Sequence, residues 1–208
     1  MKNNKYYQDT IKGIKRNMKN INDNVIANRW KQRYAQQPDR IKEKLDELEK
    51  KELKDYQLQV IKRKRAYPQI GDIFEINPKD DIILYGIVIN NHINNINGEE
   101  LLVILIFKES VELNNILYED LKKLELLLPP KIVGKEYWSR GYFYNIAHID
   151  KISNTIDYGF YSIGKGKYFD EYGNEIKFEP QLLGTYGVAT ISGIARKINR
   201  ELIIAGIL

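Results

Sequence analysis

The chain has 208 residues, of which 43% are hydrophobic, and it carries a net charge of +5 and no cysteine. This length and hydrophobic content are sufficient for one folded domain with an appendage, and they exclude a disordered protein. The absence of cysteine excludes disulfide bonds, thiol catalysis and cysteine-based zinc sites.

The charge of the chain changes sign at Pro68. Residues 1–68 contain 19 Lys and Arg against 9 Asp and Glu, a net charge of +10, whereas residues 69–208 contain 14 against 19, a net charge of −5. Such an asymmetry is typical of two units with different partners. We therefore predict a basic helical arm over residues 1–66 and an acidic domain over residues 67–208.

The basic segment has the apolar periodicity of two helices. Apolar residues recur every three or four positions from about Tyr6 to Tyr34, which predicts an amphipathic helix. Pro38 breaks the pattern, and a second stripe predicts a helix from Asp39 to about Arg65. The members of this second stripe are Ile41, Leu45, Leu48, Leu53, Tyr56 and Val60. Together the two segments predict a helical hairpin.

The end of this segment holds one concentrated basic run, Lys62, Arg63, Lys64 and Arg65. It could contact nucleic-acid phosphates, because each neutralised phosphate releases counterions. It could also be a solvated helix end, where cations favour the negative pole of the helix dipole. A third interpretation is an arm that meets an acidic partner surface, including the acidic half of the same chain. The sequence contains no helix-turn-helix, zinc-finger or RNA-binding signature.

From Tyr67 onward, short β-type runs alternate with turn residues. A turn is predicted at Asn94–Gly98, a helix over about Leu113–Leu126 that ends at Pro129-Pro130, and a C-terminal helix over Ile191–Ile203, although Glu201–Leu208 could instead form an edge strand. Strands are predicted over 71–76, 82–89, 101–107, 141–149, 156–163, 167–170 and 176–178. The predicted fold class is α+β, with a twisted, mostly antiparallel sheet and one or two helices after the N-terminal hairpin.

No set of residues in the sequence predicts catalysis. His92 and His148 are the only histidines, and neither has a partner at a metal-ligand spacing. The segment Gly164–Lys167 lacks the spacing and the Ser or Thr of a phosphate-binding loop and precedes a strand. Asp170, Glu171 and Glu175 could bind a hard cation, but Glu171–Asn174 has the composition of a hairpin turn. We predict no catalytic residue, no metal ligand and no cofactor, and therefore no enzyme.

The acidic segment contains several short motifs of glycines and single aromatic residues. They are Gly71-Asp72-Ile73-Phe74-Glu75-Ile76, Tyr85-Gly86-Ile87-Val88, Leu128-Pro129-Pro130, Trp138 through Arg140-Gly141-Tyr142-Phe143, and Asp157-Tyr158-Gly159-Phe160-Tyr161. These motifs resemble the immunity 26 family, whose members are bacterial immunity proteins encoded beside polymorphic toxins. The resemblance covers roughly Tyr67 to Gly187, and residues 1–66 have no counterpart in the family.

The resemblance implies an antitoxin that neutralises a cognate toxin domain, which could be a nuclease, by stoichiometric binding and occlusion. A cationic toxin surface would be met by surface acids and aromatic anchors. The predicted toxin contacts are Asp150, Asp157, Tyr168, Asp170, Glu171, Tyr172 and Glu175. The alternative is a nucleic-acid-binding protein that uses Lys62, Arg63, Lys64 and Arg65.

The sequence also bears on where the protein works. Its start lacks the apolar region of a secretory signal, and no apolar run approaches the roughly 18 to 20 residues of a membrane helix. We therefore expect a soluble, cytoplasmic protein with no membrane partner.

Overall fold

The computed structural model describes residues 24–52, 55–108, 125–150, 152 and 156–208. The described helices are α1 (Val25–Ala35), α2 (Asp39–Lys50), α3 (Glu136–Ser139) and α4 (Ile191–Ile204). The described strands are β1 (Asp72–Lys79), β2 (Ile82–Asn95), β3 (Gly98–Phe107), β4 (Leu126–Val133), β5 (Phe143–His148), β6 (Tyr158–Ser162), β7 (Lys167–Phe169), β8 (Glu175–Ile176) and β9 (Leu182–Thr185).

The strands form two sheets. The larger sheet has the order β4-β3-β2-β1-β5, and all its neighbours are antiparallel. The smaller sheet has the order β8-β7-β6-β9, in which only the β6–β9 pair is parallel. The predicted α+β class, with N-terminal helices followed by a mostly antiparallel β domain, is confirmed.

The larger sheet is the middle layer of the molecule, because its inner strands are apolar on both faces. In β3, Leu102 and Ile104 belong to a core shared with the helices, whereas Val103 and Leu105 belong to a second core on the opposite face. Successive side chains of a strand point to opposite faces, so a continuous apolar run needs a cover on each side. Helices α2 and α4 cover one face, and Phe160 of the smaller sheet packs on the other.

An aromatic cluster forms the centre of the helix-side core. Phe74 of β1 stacks on Phe143 of β5 with a centroid distance of 4.6 Å, and Trp138 of α3 meets both rings edge-on at 5.3 and 5.2 Å. All three side chains are fully buried. Such pairs contribute beyond their buried area, so this cluster fixes α3 against the sheet.

The second predicted helix is shorter than the apolar spacing indicates. Helix α2 ends at Lys50, and residues 56–65 are not helical. In this segment Tyr56 and Leu58 are buried while their neighbours are exposed, which is the period of two of an extended chain.

The backbone of this segment finds its hydrogen-bond partners outside itself. The N–H of Gln59 donates to Asn77 O at 2.8 Å, that of Ile61 to Gly141 O at 2.7 Å, and that of Lys64 to Trp138 O at 3.0 Å. These bonds replace the helical ones, so the predicted helix through Arg65 is wrong. The interpretation of the basic run as a helix end is wrong with it.

The prolines after the predicted helix 113–126 lie in a strand. Pro129 and Pro130 belong to β4, an edge strand of the larger sheet, where a missing N–H leaves no unsatisfied partner. The helix prediction therefore fails at residue 126, and its residues 113–124 lie outside the described part of the chain, as do residues 6–23 of the first predicted helix. At the C-terminus, α4 continues to Ile204, so the edge-strand alternative is wrong.

The extended segment can be tested with two truncations at neighbouring positions. Leu58→Ala should lower the free energy of unfolding by about 2–5 kcal/mol, because Leu58 is 3% exposed in the helix-side core. Val60→Ala should change it by less than about 0.5 kcal/mol, because Val60 is 56% exposed. Urea denaturation of both variants measures the difference. A larger loss at Val60 than at Leu58, as expected if Val60 belonged to the apolar stripe of a helix, would contradict the extended conformation.

Candidate partner-binding cleft

A cleft opens where the smaller sheet meets β2 of the larger sheet. Its volume is about 420 Å³, and it combines apolar walls with a few polar groups. The lining residues are Ile70, Ile89, Asn90, Ile152, Ile156, Tyr158, Glu171 and Tyr172. A concave site of this composition is the usual form of a binding surface.

The turn between β7 and β8 carries two of these residues into the cleft. The Asp170 side chain accepts hydrogen bonds from the N–H groups of Tyr172 at 3.0 Å and Asn174 at 2.8 Å. Gly173 has a φ of +95°, a conformation that glycine adopts without steric cost. Asp170 and Gly173 therefore fix the turn, and the turn projects Glu171 and Tyr172 toward β2.

Glu171 is the polar centre of the cleft. Its Oε1 accepts a hydrogen bond from Asn90 Nδ2 at 2.6 Å and another from the Tyr158 hydroxyl at 2.7 Å. Asn95 Nδ2 donates to the Glu171 carbonyl oxygen at 2.7 Å, which ties the turn to β2. Hydrogen bonds to a carboxylate are short and strong, so both side-chain donors hold the Glu171 side chain in place.

Tyr158 keeps its proton in this arrangement. Burial raises the pKa of the Tyr158 hydroxyl well above its ordinary value, and the hydrogen-bonded Glu171 carboxylate raises it further. The hydroxyl therefore remains a donor across the physiological range. Within the described part of the chain, no Lys, Arg or His forms an ion pair with Glu171, so its charge is balanced only by neutral donors.

The rim of the cleft is apolar and open to solvent. Tyr172 is 50% exposed and Ile70 is 40% exposed, and both line the cleft that holds Glu171. Exposed aromatic and aliphatic side chains beside a polar centre are typical of protein-interaction surfaces. Tyr172 and Ile70 therefore give the cleft an exposed apolar rim beside Glu171.

The structure brings together only part of the set of predicted toxin contacts. Asp170, Glu171 and Tyr172 share one turn at the cleft. The other four lie outside its lining, and each has a different neighbour. Asp157 accepts from Gln181 N–H at 3.0 Å, Tyr168 donates to Glu179 at 2.8 Å, Glu175 pairs with Lys167 at 2.6 Å, and the exposed Asp150 lies 3.6 Å from His148 Nε2.

Asn90 and Tyr158 belong to the site but were not among the predicted contacts. Asn90 follows the apolar run of β2, and this change from apolar to polar is the one signal in the sequence that could have identified it. Tyr158 is the first residue of β6 and resembles a cross-strand tyrosine. Their approach to Glu171 depends on packing between the two sheets, which the local sequence does not encode.

The two histidines form polar contacts away from the cleft lining. His148 Nδ1 lies 2.9 Å from Asp72 Oδ1, and His92 Nδ1 lies 2.7 Å from Glu100 Oε2. The His92 ring also stacks on Tyr67 at a centroid distance of 4.4 Å. Among the described residues, no group of three or more His, Asp or Glu is placed to hold a metal ion. No described helix is long and apolar enough to cross a membrane.

The basic run lies on the surface beside α3 and β5. Lys62, Arg63, Lys64 and Arg65 are all exposed, and the Lys62 ammonium lies 5.6 Å from the centroid of the Tyr144 ring. Their backbone is held against α3 by the Lys64 N–H bond to Trp138. The four cations therefore form an exposed patch on an extended segment.

The link between Tyr158 and Glu171 has a consequence at alkaline pH. Because the pKa of Tyr158 is raised in the folded state, its contribution to stability is complete below its ordinary value of 10.0 and is lost as the pH rises above it. Tyr158→Phe should lower the free energy of unfolding by about 1–3 kcal/mol at pH 8, and this deficit should shrink between about pH 10 and 11.

Urea denaturation across this pH range measures the deficit. Tyr172→Phe is the matched control, since it removes a hydroxyl from the same cleft that does not contact the Glu171 carboxylate. The same pH dependence in both variants would contradict the role given to Tyr158.

Comparison with known proteins gives a family match that covers the motifs described above. Curated proteins and solved structures gave no match. The model of the family Imm26, described as Immunity protein 26, matches residues 69–170. The matched segment includes β1 through β7, and it contains Ile70, Asn90 and Tyr158 and ends at Asp170. The predicted resemblance is confirmed: residues 69–170 of this chain match the model of the Immunity protein 26 family.

Proposed function

We propose that the protein is an antitoxin that neutralises a cognate bacterial toxin domain by stoichiometric binding, and that the cleft around Glu171 is its main contact. One observation carries the proposal: among the described residues the Glu171 carboxylate is hydrogen-bonded only by neutral donors, and it lines the same cleft as the exposed Tyr172 and Ile70. The Imm26 match supports the class of protein. In this proposal the protein acts in the cytoplasm by occlusion, without turnover.

The state of Glu171 favours a cationic partner. Both side-chain donors contact Oε1, and among the described residues none donates to Oε2. An Arg or Lys of the toxin could approach this second oxygen and form a charge-assisted hydrogen bond. The net charge of −5 over residues 69–208 would speed the encounter with a basic surface, such as that of a nuclease.

The remaining predicted contacts have secondary places in this proposal. Asp150, Asp157, Tyr168 and Glu175 lie outside the cleft lining, so they would form a polar rim that contributes little to affinity. Asp170 would act through the shape of the turn that it caps. The central anchor would be Tyr172, because aromatic residues at the centre of an interface supply most of its binding energy.

The proposal is tested with the toxin domain encoded beside this gene. The wild type should protect cells that express the toxin and should form a one-to-one complex with it. Tyr172→Ala should weaken binding by roughly 30-fold or more, as for a hot-spot residue. Glu171→Gln should weaken binding and reduce its dependence on salt, because it removes the charge with little change in shape. Titration of the purified proteins at two salt concentrations measures both effects.

A matched control separates the two parts of this proposal. Phe178→Ala truncates an aromatic side chain that is 67% exposed outside the cleft, and it should leave affinity unchanged. If Tyr172→Ala binds as tightly as Phe178→Ala, the cleft is not the contact surface. Absence of protection and of a complex in the wild type would overturn the antitoxin function itself.

The exposed basic patch supports a second candidate, a nucleic-acid-binding function. Its four side chains extend from a segment that the sheet domain holds in place, as a phosphate-binding surface requires. Affinity for duplex or single strands should then fall with salt by about 0.9 log units per log unit for each phosphate neutralised.

A set of alanine substitutions assigns this binding. Replacing Lys62, Arg63, Lys64 and Arg65 with Ala should remove most of the salt dependence, whereas Lys50→Ala with Lys51→Ala, on an exposed helix end, should not. No retained nucleic acid at low salt would exclude this candidate.

A further inference from the structure

A cluster of basic side chains lies between the helices and the edge of the larger sheet, away from the cleft. It consists of the buried Lys131 on β4, the partly buried Lys197 and Arg200 on α4 and, on its exposed side, Arg33 on α1, and it is called the buried basic cluster below. Lys131 is only 5% exposed. The spacing of three places Lys197 and Arg200 on one face of α4, directed toward the strand.

The acids around the cluster do not balance its charge. Glu201, 6% exposed, is the only acidic residue among the described residues that line the cavity. It accepts two contacts from Arg33, at 2.9 and 2.6 Å, and lies 3.5 Å from Arg200. In the described part of the chain, four basic groups thus share one carboxylate.

The nearest other cations already have their own partners. Arg29, which also lines the cavity, pairs with Glu179, and Arg196 of α4 pairs with Glu49 of α2. These two carboxylates are therefore engaged with cations outside the cluster. Among the described residues that line the cavity, Lys131, Lys197 and Arg200 are therefore left with the Glu201 carboxylate alone.

The cluster is also short of hydrogen-bond acceptors. The Nε of Arg200 is buried and donates to no described group. Burial, with the neighbouring Lys197 and Arg200, lowers the pKa of Lys131 well below its ordinary value, and burial also lowers the pKa of Lys197. A buried donor without an acceptor is costly, so an anion placed here would satisfy Arg200 Nε and would also favour the charged forms of the two lysines.

A small cavity lies where this anion would sit. Its volume is about 200 Å³, below the roughly 300–1,000 Å³ of sites for organic ligands, so it suits a small ion. Trp30 of α1 forms part of its wall, and the Arg200 guanidinium stacks over that ring at 3.9 Å. We propose that the buried basic cluster binds a small oxyanion of the phosphate type, held by Lys131, Lys197 and Arg200.

Bound there, the anion would connect three separate elements. Lys131 belongs to β4, whereas Arg200 and Trp30 join α4 to α1. Anion binding would therefore fasten the N-terminal helices to the sheet domain. This inference is independent of the proposed antitoxin function, because no residue of the cavity lines the cleft.

Thermal unfolding of the full chain in sodium phosphate and in sodium chloride, at matched pH and ionic strength, tests the proposal. Phosphate should raise the Tm in a saturable way, by roughly 5–10 °C at 100 times the Kd. Trp30 fluorescence should change over the same phosphate concentrations. Trp30→Phe should lose the fluorescence response, since Trp138 is buried elsewhere, and should keep a phosphate-dependent Tm.

Variants at single lysines assign the effect to the cluster. Lys131→Met should abolish the phosphate-dependent shift even if it raises the Tm in chloride, because an apolar replacement of a buried cation is tolerated. Lys177→Met, at an exposed position, should shift like the wild type. The proposal is overturned if phosphate acts no differently from chloride. An equal shift in Lys131→Met and the wild type would also overturn it.

Discussion

The structure depends on the burial of its larger sheet on both faces. Strand β3 directs Leu102 and Ile104 toward the helices and Val103 and Leu105 toward the smaller sheet, so neither face can be left to water. This constraint requires two separate covers, one of helices and one of strands. Both candidate sites lie where one of these covers meets the larger sheet. The cleft lies between β2 and the smaller sheet, and the buried basic cluster lies between β4 and the helices.

The basic N-terminal segment contributes to this burial. Leu45, Leu48 and Leu58 belong to the same core as Trp138. Ion pairs also connect the basic segment to the acidic segment, because Arg29 pairs with Glu179 and Arg33 pairs with Glu201. The predicted domain boundary after residue 66 stays a prediction. The core that packs on the Imm26-matched region also contains side chains that come before residue 69, where the match begins. Part of the basic charge thus meets the acidic half of the same chain, through α1 instead of the run at Lys62–Arg65.

The sequence predicted those parts of the fold in which one local signal dominates. Strands β1, β2 and β3 follow from alternation and from a continuous apolar run, and α4 follows from its period of three and four. The spacing of Tyr56 and Val60 fits a helix and an extended chain equally well. The segment is extended because residues of the sheet domain accept the hydrogen bonds of its backbone. In the cleft, Glu171 and Tyr172 were among the predicted contacts as members of an exposed turn. Asn90 was not, because its distance from Glu171 is set by the packing of one sheet on another.

The two sites accommodate charge near the interior in opposite ways, and this difference determines the partner each could accept. Asn90 and Tyr158 donate hydrogen bonds to the Glu171 carboxylate, so the cleft presents a hydrogen-bonded acid to a cation that arrives from outside. Burial and the neighbouring cations lower the pKa of Lys131, and the buried basic cluster presents donors to an anion. A cationic toxin surface and a small oxyanion would therefore not compete. The oxyanion could hold α1 and α4 in place while the toxin surface occupies the cleft on the opposite side of the sheet.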